Sequence, residues 1–380
     1  MLSISLKLAS SNLIYRKERT FLTIFSITVS IFISFLLLSI IDGFLKTIEN
    51  SINLKKIDII ITSGDLPIEL GPIVITTNSY KINTNIYQEL KIKYPNLIIS
   101  PIFKNLIKIN DKLIPLISID LEYIDKFYPN FYINSPIDTN NIVLIGNKLS
   151  KILNLKENDL ITIQNKIFKI YKVLNQINGY EDYAIFIDYK EYIKLFDINS
   201  FSQLWVITNL NNIENKKIIQ ELKNNYPNLF FYENQEINSN QYSLIAILKS
   251  LQVIIIVASV STALLASTNT ILITTFERIK EFAILLAIGS SRAIIFFSLL
   301  FEGIIISFIG SILGILLGII SSLLFQNSFY KAINLSIPII SLSKNVFLQI
   351  FIISTLIGIL SSILPAYIAS TINLQESIKK

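Results

Sequence analysis

"FERIKEFAILLAIGSSR" (residues 276–292) lies between two long apolar stretches. It places Glu277, Arg278, Lys280, Glu281 and Arg292 in a chain that is 52% hydrophobic, with a single glycine, Gly289, near its end. On a helix, Glu277, Lys280, Glu281 and Ile284 follow i, i+3, i+4, i+7 spacing and share a face. Two readings follow. The segment can be a solvated turn between spans, with pairs such as Glu277–Lys280 or Arg278–Glu281 contributing about 0.2–0.5 kcal/mol each. It can also be a cytoplasmic helix that docks into a groove on another protein. It is longer than a minimal hairpin and mixes charge with the apolar run "FAILLAI", which favours docking. Gly289 then permits a sharp break, and Arg292 marks the surface where the next span begins.

The flanks decide the fold class. Residues 20–41, 250–276, 303–330 and 345–375 carry no charge, and 293–301 extend the third block across one interrupting acid, Glu302. A bilayer core of roughly 30 Å needs about 20 apolar residues in a helix. Four spans fit, at 20–41, 250–276, 293–325 and 346–368. The first exceeds the roughly 7–15 residues of a signal-peptide core and has no small-x-small site after it, so it reads as an anchor that stays.

Charge sets the orientation. Residues 42–248 hold 21 lysines and 22 acids, whereas the remainder carries a net charge of +7. The polar domain is therefore neutral and shows no basic stripe, which argues against a nucleic-acid partner. The arginines are Arg16, Arg19, Arg278 and Arg292, all in membrane flanks. The positive-inside rule then places 1–19, 277–292 and 369–380 in the cytoplasm, and 42–249 and the loop 326–345 outside. Residues 1–19 read as an amphipathic segment on the inner leaflet. The expected fold is a membrane α-helical protein of four transmembrane helices, with a large α+β extracytoplasmic domain inserted between helices 1 and 2.

That domain alternates strand and helix patterns. "KIDIIITS", "LIISPIFKNLIKI", "KLIPLISI", "SQLWVITN" and "LFFYEN" read as strands, and "TNIYQELKIKYPN" and "IENKKIIQELKNNY" as helices. "NIVLIGNKLSKILNL" reads as strand, Gly146 turn and helix. "DLITIQNKIFKIYKVL" reads as a hairpin about Gln164-Asn165, and "YAIFIDYKEYIKLF" as a strand running into a helix. The spacing predicts one lobe from about 55–118 and 200–233, with a subdomain at about 120–198 inserted in it. Residues 42–53 and 234–249 extend the first two spans as protruding helices.

Catalytic chemistry has little to work with. The chain has no cysteine and no histidine, so thiol nucleophiles, zinc fingers and imidazole bases are excluded. None of its 11 glycines precedes a lysine, and no phosphate loop, nucleophile elbow or H-E-x-x-H motif is present. The acid pair Glu181-Asp182 reads as solvated. The expectation is a chain that is not an enzyme and binds no cofactor itself.

Beyond these patterns, "ERIKEFAILLAIGSSRAIIFFSLLFEGIIISFIGSILGILLG" (277–318) resembles the signature of FtsX-like ABC-transporter permeases of the MacB and LolCE type. "IVLIGNKLSKILNLKENDLITI" with "FKIYKVLNQINGYEDYAIFID" resembles that family's periplasmic domain, and "PAYIASTINLQESI" its C-terminal tail. The resemblance implies a permease of the bacterial inner membrane, multi-pass with both termini cytoplasmic. It implies a separate ABC ATPase subunit that binds ATP and contacts 277–292, with Glu277, Arg278, Glu281, Leu285, Gly289 and Arg292 as coupling residues. It implies a second copy or a sister permease, and surrounding membrane lipid. A periplasmic adaptor or a lipoprotein chaperone joins in some subfamilies. The implied action is mechanotransmission: hydrolysis inside moves the external domain, for export or lipoprotein release. A division regulator that activates cell-wall hydrolases is the alternative. The chain departs from the pattern at Leu286, where the family often has a base, and at Leu374, where proline is usual.

Two intramembrane features complete the reading. Glu302 is an acid in an apolar span, costly unless it has a role, and reads as a helix–helix contact, with gating as the second possibility. Gly310, Gly314 and Gly318 recur every four residues and leave one helix face bare for close packing, against span two or four or across a dimer seam.

Overall fold

The computed structural model describes the chain apart from residues 1, 67, 71–72, 76–81, 134–137, 209–211, 334–340 and 372–380. It opens with two helices, α1 (Leu2–Tyr15) and α2 (Lys17–Leu54). Next come β1 (Ile59–Thr62), β2 (Ile68–Leu70), β3 (Ile73–Ile75), β4 (Ile82–Asn83), α3 (Thr84–Lys93), β5 (Ile98–Ile109), β6 (Lys112–Ile119) and α4 (Ile124–Phe127). There follow β7 (Ile142–Ile145), α5 (Asn147–Leu153), β8 (Leu160–Ile163), β9 (Lys166–Val173), β10 (Ile185–Asp188) and α6 (Tyr189–Phe196). Then come β11 (Ser200–Phe201), β12 (Gln203–Ile207), α7 (Asn212–Asn225) and β13 (Phe230–Glu233). The chain ends in α8 (Asn234–Glu277), α9 (Ile279–Ala287), α10 (Arg292–Ile333) and α11 (Lys344–Ser370).

These elements form two compact units, one of Met1–Gly43, Lys249–Gln326 and Ile340–Lys380, the other of Phe44–Leu248 with Asn327–Ile339. Four helices of the chain contain stretches long and apolar enough to cross a membrane: Lys17–Ile52, Asn234–Glu277, Arg292–Phe325 and Lys344–Ser370. The first two are longer than a bilayer requires because their amphipathic ends stay helical. α10 continues to Ile333, into the loop expected at 326–345, whose residues 334–340 lie outside the described ones. Of the tail expected at 369–380, residues 372–380 lie outside them too.

The second unit is α+β. Its nine-stranded mixed sheet has the order β13-β1-β12-β5-β6-β10-β7-β9-β8. The expectation of a separate inserted lobe is corrected here. β10 pairs with β6 in parallel, Ile185 beside Leu116, so the strands from 120–198 continue the same sheet. β5 makes this possible by its length: its first half pairs with β12 and its second with β6. The turn at Gln164-Asn165 has positive φ at both residues (48° and 64°), as a tight hairpin requires.

Core residues line both faces of the sheet. Ile59, Ile61, Leu204, Val206, Ile185 and Ile187 meet Tyr87, Leu90, Tyr192 and Leu222 from the helices on one side. Ile60, Trp205, Ile207 and Phe186 meet Tyr128, Phe131 and Tyr180 on the other. Burial on both faces explains why these strands read as unbroken apolar runs.

Where β6 and β10 end, Asp120 and Asp188 turn inward. Asp188 caps α6 through the Lys190 N–H at 3.0 Å and accepts from the Leu121 N–H at 3.3 Å. Asp120 accepts from the Glu122 N–H at 3.2 Å, and its own N–H donates to the Ser100 hydroxyl at 2.8 Å. Burial first, and the Asp188 charge second, push the Asp120 carboxyl up to about 6. Between its ordinary value of 3.8 and about 6, the folded chain keeps a proton that the unfolded chain has released. Stability therefore falls as pH rises through that window, by at most about 3 kcal/mol at 1.36 kcal/mol per unit. Denaturant unfolding followed by the fluorescence of Trp205, the single tryptophan, should show a higher midpoint at pH 5 than at pH 8. Asp120→Asn should remove most of that difference, and equal midpoints for the wild-type chain would count against this account.

Candidate functional site

Between α8 and α10, Ile279–Ala287 forms the short helix α9, set between two breaks. α8 ends at Glu277, and Arg278 leaves helical geometry (φ −100°, ψ 9°) before α9 starts. α9 ends in a glycine cap. The Ser290 N–H donates to the Leu285 carbonyl and the Gly289 N–H to the Leu286 carbonyl, both at 3.0 Å, with Gly289 at φ +97°. That bond pair is the Schellman motif, and its left-handed residue favours glycine. α10 begins at Arg292.

The inner face of α9 holds the buried Phe282 and Ala283, and Phe282 packs with Ile295, Leu299, Ala366 and Ala369. Leu285 and Leu286 are half-buried on the same cluster. The outer face carries Lys280, Ile284 (55% exposed), Ala287 and Ile288 (79% exposed). Leu285, expected on the outer face, is therefore drawn inward.

Arg278 is the larger departure. Expected on the docking face, it is 5% exposed. Its Nη1 lies 3.2 Å from Glu302 Oε2 and its Nε 3.2 Å from Glu281 Oε2, and its guanidinium lies 4.6 Å from the Phe282 ring centroid. The pairing continues outward. Arg16 meets Glu281 at 2.9 Å and Glu277 at 3.5 Å, and Arg19 pairs with Glu277. Arg19, Glu277, Arg16, Glu281, Arg278 and Glu302 thus form an alternating string across α2, the end of α8, the α1–α2 junction, α9, the α8–α9 break and α10. Its outer pairs are a third to a half exposed and are worth only about 0–1 kcal/mol each. The inner pair is different, because removing one partner of a buried pair costs about 3–5 kcal/mol.

Glu302, the acid in an apolar span, thus meets Arg278 at the break between α8 and α9. The residues that sequence reasoning missed are Arg16 and Arg19, read only as an interfacial segment and a topology signal. No local spacing could have found them: Arg16 and Glu281 are 265 residues apart.

The glycines face a different helix from either candidate. A Cβ at Gly310 would meet Ile27 at 2.8 Å, one at Gly314 would meet Ile31 at 2.8 Å, and one at Gly318 would meet Phe35 at 2.5 Å. The seam is against span one, α2, not span two or four. A second close crossing joins α10 to α11: a Cβ at Gly303 would meet the Gly358 carbonyl at 2.8 Å. α8 meets α11 through the buried hydroxyls of Ser267 and Ser361, 3.0 Å apart. Among the described residues no group of acids is arranged to hold a metal ion.

Residues 253–374 match the model of the FtsX-like permease C-terminal family. No curated protein matches the chain. Among solved structures, the extracellular domain of the noncanonic ABC-type transporter YknZ from Gram-positive bacteria aligns with 47% of this chain and 99% of its own, at 13% identity and a TM-score of 0.33. That likeness is too slight to carry an argument. The matched run extends from within α8 through α9, α10 and α11 and carries Glu277, Arg278, Glu281 and Glu302.

Proposed function

We propose that the chain is the permease subunit of an ABC transporter complex. It is not an enzyme itself, and it couples hydrolysis by a separate ATPase to movement of its sheet unit, in export or lipoprotein release. It lies in the bacterial inner membrane with both termini cytoplasmic and the sheet unit outside. The observation that carries this reading is α9. It is a short helix fixed by a buried face and an ion-pair string, yet it leaves Ile284 and Ile288 exposed beside Lys280. Isolated exposed side chains are ordinary. A rigid apolar face between two spans suits a groove on a partner, and the glycine cap stops the helix from continuing into α10.

A second copy covers α8 in this proposal. Only 6% of its most apolar window is buried inside the chain, and Ser261, Thr262 and Asn269 are exposed on it. An amide turned toward lipid is costly unless another helix meets it.

Three measurements test these statements. Ile284→Glu with Ile288→Glu should lower recovery of an ATPase that co-purifies with the wild-type chain at least tenfold, a loss of about 1.4 kcal/mol, without lowering the thermal midpoint. Full recovery would remove α9 as the docking helix. Because the chain has no cysteine, Asn269→Cys should give a disulfide-linked dimer in oxidised membranes, and monomer alone at every oxidant concentration would exclude an α8 seam at that depth. Single cysteines at Lys148 and Lys217 should react with an impermeant maleimide in spheroplasts while one at Lys280 should not. Labelling of Lys280 from outside would overturn the orientation.

A further inference from the structure

The adjacent acids Glu181 and Asp182, expected to be solvated, are both buried, Glu181 at 0% exposure. A buried carboxylate needs partners. Asp182 finds them chiefly in its own loop: the N–H groups of Ile177 and Asn178 donate to it at 2.9 Å, and Lys148 lies at 3.6 Å. Glu181 reaches out of the loop instead. Its Oε2 accepts from the Ser51 hydroxyl at 3.0 Å, and its Oε1 lies 3.2 Å from Lys55 Nζ. Ser51 is in the last turn of α2 and Lys55 follows directly after it.

Neighbouring contacts join the same two segments. Asn50 Nδ2 donates to the Asn178 carbonyl at 2.7 Å, and Lys55 Nζ donates to the Tyr180 hydroxyl at 3.4 Å. The Lys55 ammonium also lies 5.2 Å from the Tyr180 ring centroid and 5.6 Å from that of Trp205. Gly179 permits the approach: a Cβ there would meet Glu181 Oε2 at 2.5 Å, and Ser51 and Leu54 at 3.4 Å. Four consecutive loop residues, 178–181, thus grip Asn50, Ser51, Leu54 and Lys55. On its other side the loop is seated in the sheet unit. The Gly146 N–H donates to the Ala184 carbonyl at 2.9 Å, and a Cβ at Gly146 would meet the Asp182 carbonyl at 2.3 Å. Tyr180 belongs to the aromatic core with Trp205 and Tyr128.

Helix ends normally fray, since their last carbonyls lack partners. This end is instead fastened by a desolvated charge pair that is costly to open. We propose that the loop 177–183 is a clasp that makes the last turns of α2 a fixed part of the sheet unit, so that this helix carries displacement into it. The direction of the signal rests on the permease reading; the clasp does not, and it is tested in the chain without an ATPase.

Hydrogen exchange on the full chain in nanodiscs should show amides of 47–55 and 177–184 exchanging at least tenfold faster in Glu181→Gln, with β5 and β12 at wild-type rates. Unchanged rates in both segments would overturn the clasp. Should Glu181→Gln loosen the whole unit, Gly179→Ala decides by the same criterion, since it keeps every charge and only displaces the Glu181 carboxylate. Spin labels at Lys46 and Lys151 should give one narrow distance in the wild type and a broadened one in either variant. An equally narrow distribution in both variants would also overturn it. A clasp that holds while the α9 variants still bind the ATPase would leave the clasp standing and remove the coupling reading.

Discussion

A guanidinium turned into a helical bundle must be met by a carboxylate, and Arg278 is the point at which this chain accepts that constraint. Glu302 answers it from α10 and Glu281 from α9, and Phe282 offers its ring face. The rest of the junction follows. Glu281 is shared with Arg16, which also approaches Glu277, and Glu277 pairs with Arg19. A desolvated charge pair tolerates little misplacement, because its attraction offsets desolvation only at good geometry. The inner pair therefore fixes the angle at which α9 leaves α8, and the weaker outer pairs follow from that placement.

Within the membrane unit, packing is set by what is missing from the side chains. The bare face of Gly310, Gly314 and Gly318 admits Ile27, Ile31 and Phe35 of α2, and Gly303 faces Gly358 of α11. Lipid gives helices no hydrophobic reason to associate, so close contact and shared hydroxyls such as Ser267–Ser361 must supply it. α10 is gripped from two sides in this way, whereas only 6% of the most apolar window of α8 is buried among the described residues. The sheet unit solves the opposite problem. It is held by large apolar side chains on both faces, and its buried charges sit at edges and helix ends, where Asp188 caps α6 and Glu181 fastens α2.

Much of this was legible in the sequence, and the remainder fails for identifiable reasons. Spans, strands and the hairpin at Gln164-Asn165 are local patterns, and period and turn chemistry report them. The parallel pairing of β6 with β10 is not local: 69 residues separate Asp188 from its partner Ile119, and no pattern in either strand names the other as partner. It is why the inserted lobe became part of one sheet. Helical spacing placed Glu277, Lys280, Glu281 and Ile284 together on an exposed face. It could not report that a break at Arg278 rotates that side chain inward. Arg16 and Glu281 are separated by 265 residues, and Ser51 and Glu181 by 130. Such pairs leave no local pattern in a sequence, and Arg16 and Arg19 showed there only as part of the basic excess that was read as topology.

The choice of arginine at the junction carries its own argument. The chain has four arginines against 29 lysines, so an arginine is the exception in its vocabulary. Three of the four stand in the string. A lysine ammonium is compact and strongly hydrated, whereas the planar guanidinium holds its charge when desolvated and can meet two carboxylates while lying on an aromatic ring. Arg278 does all of this at once, and Arg16 bridges Glu277 and Glu281. Lysines instead populate the sheet unit, where a single partner such as Asp182 or Glu191 suffices. Lys55 is the lysine that approaches the junction's demand, meeting Glu181 and Tyr180 together, but as a point charge it meets one carboxylate where Arg278 and Arg16 each meet two.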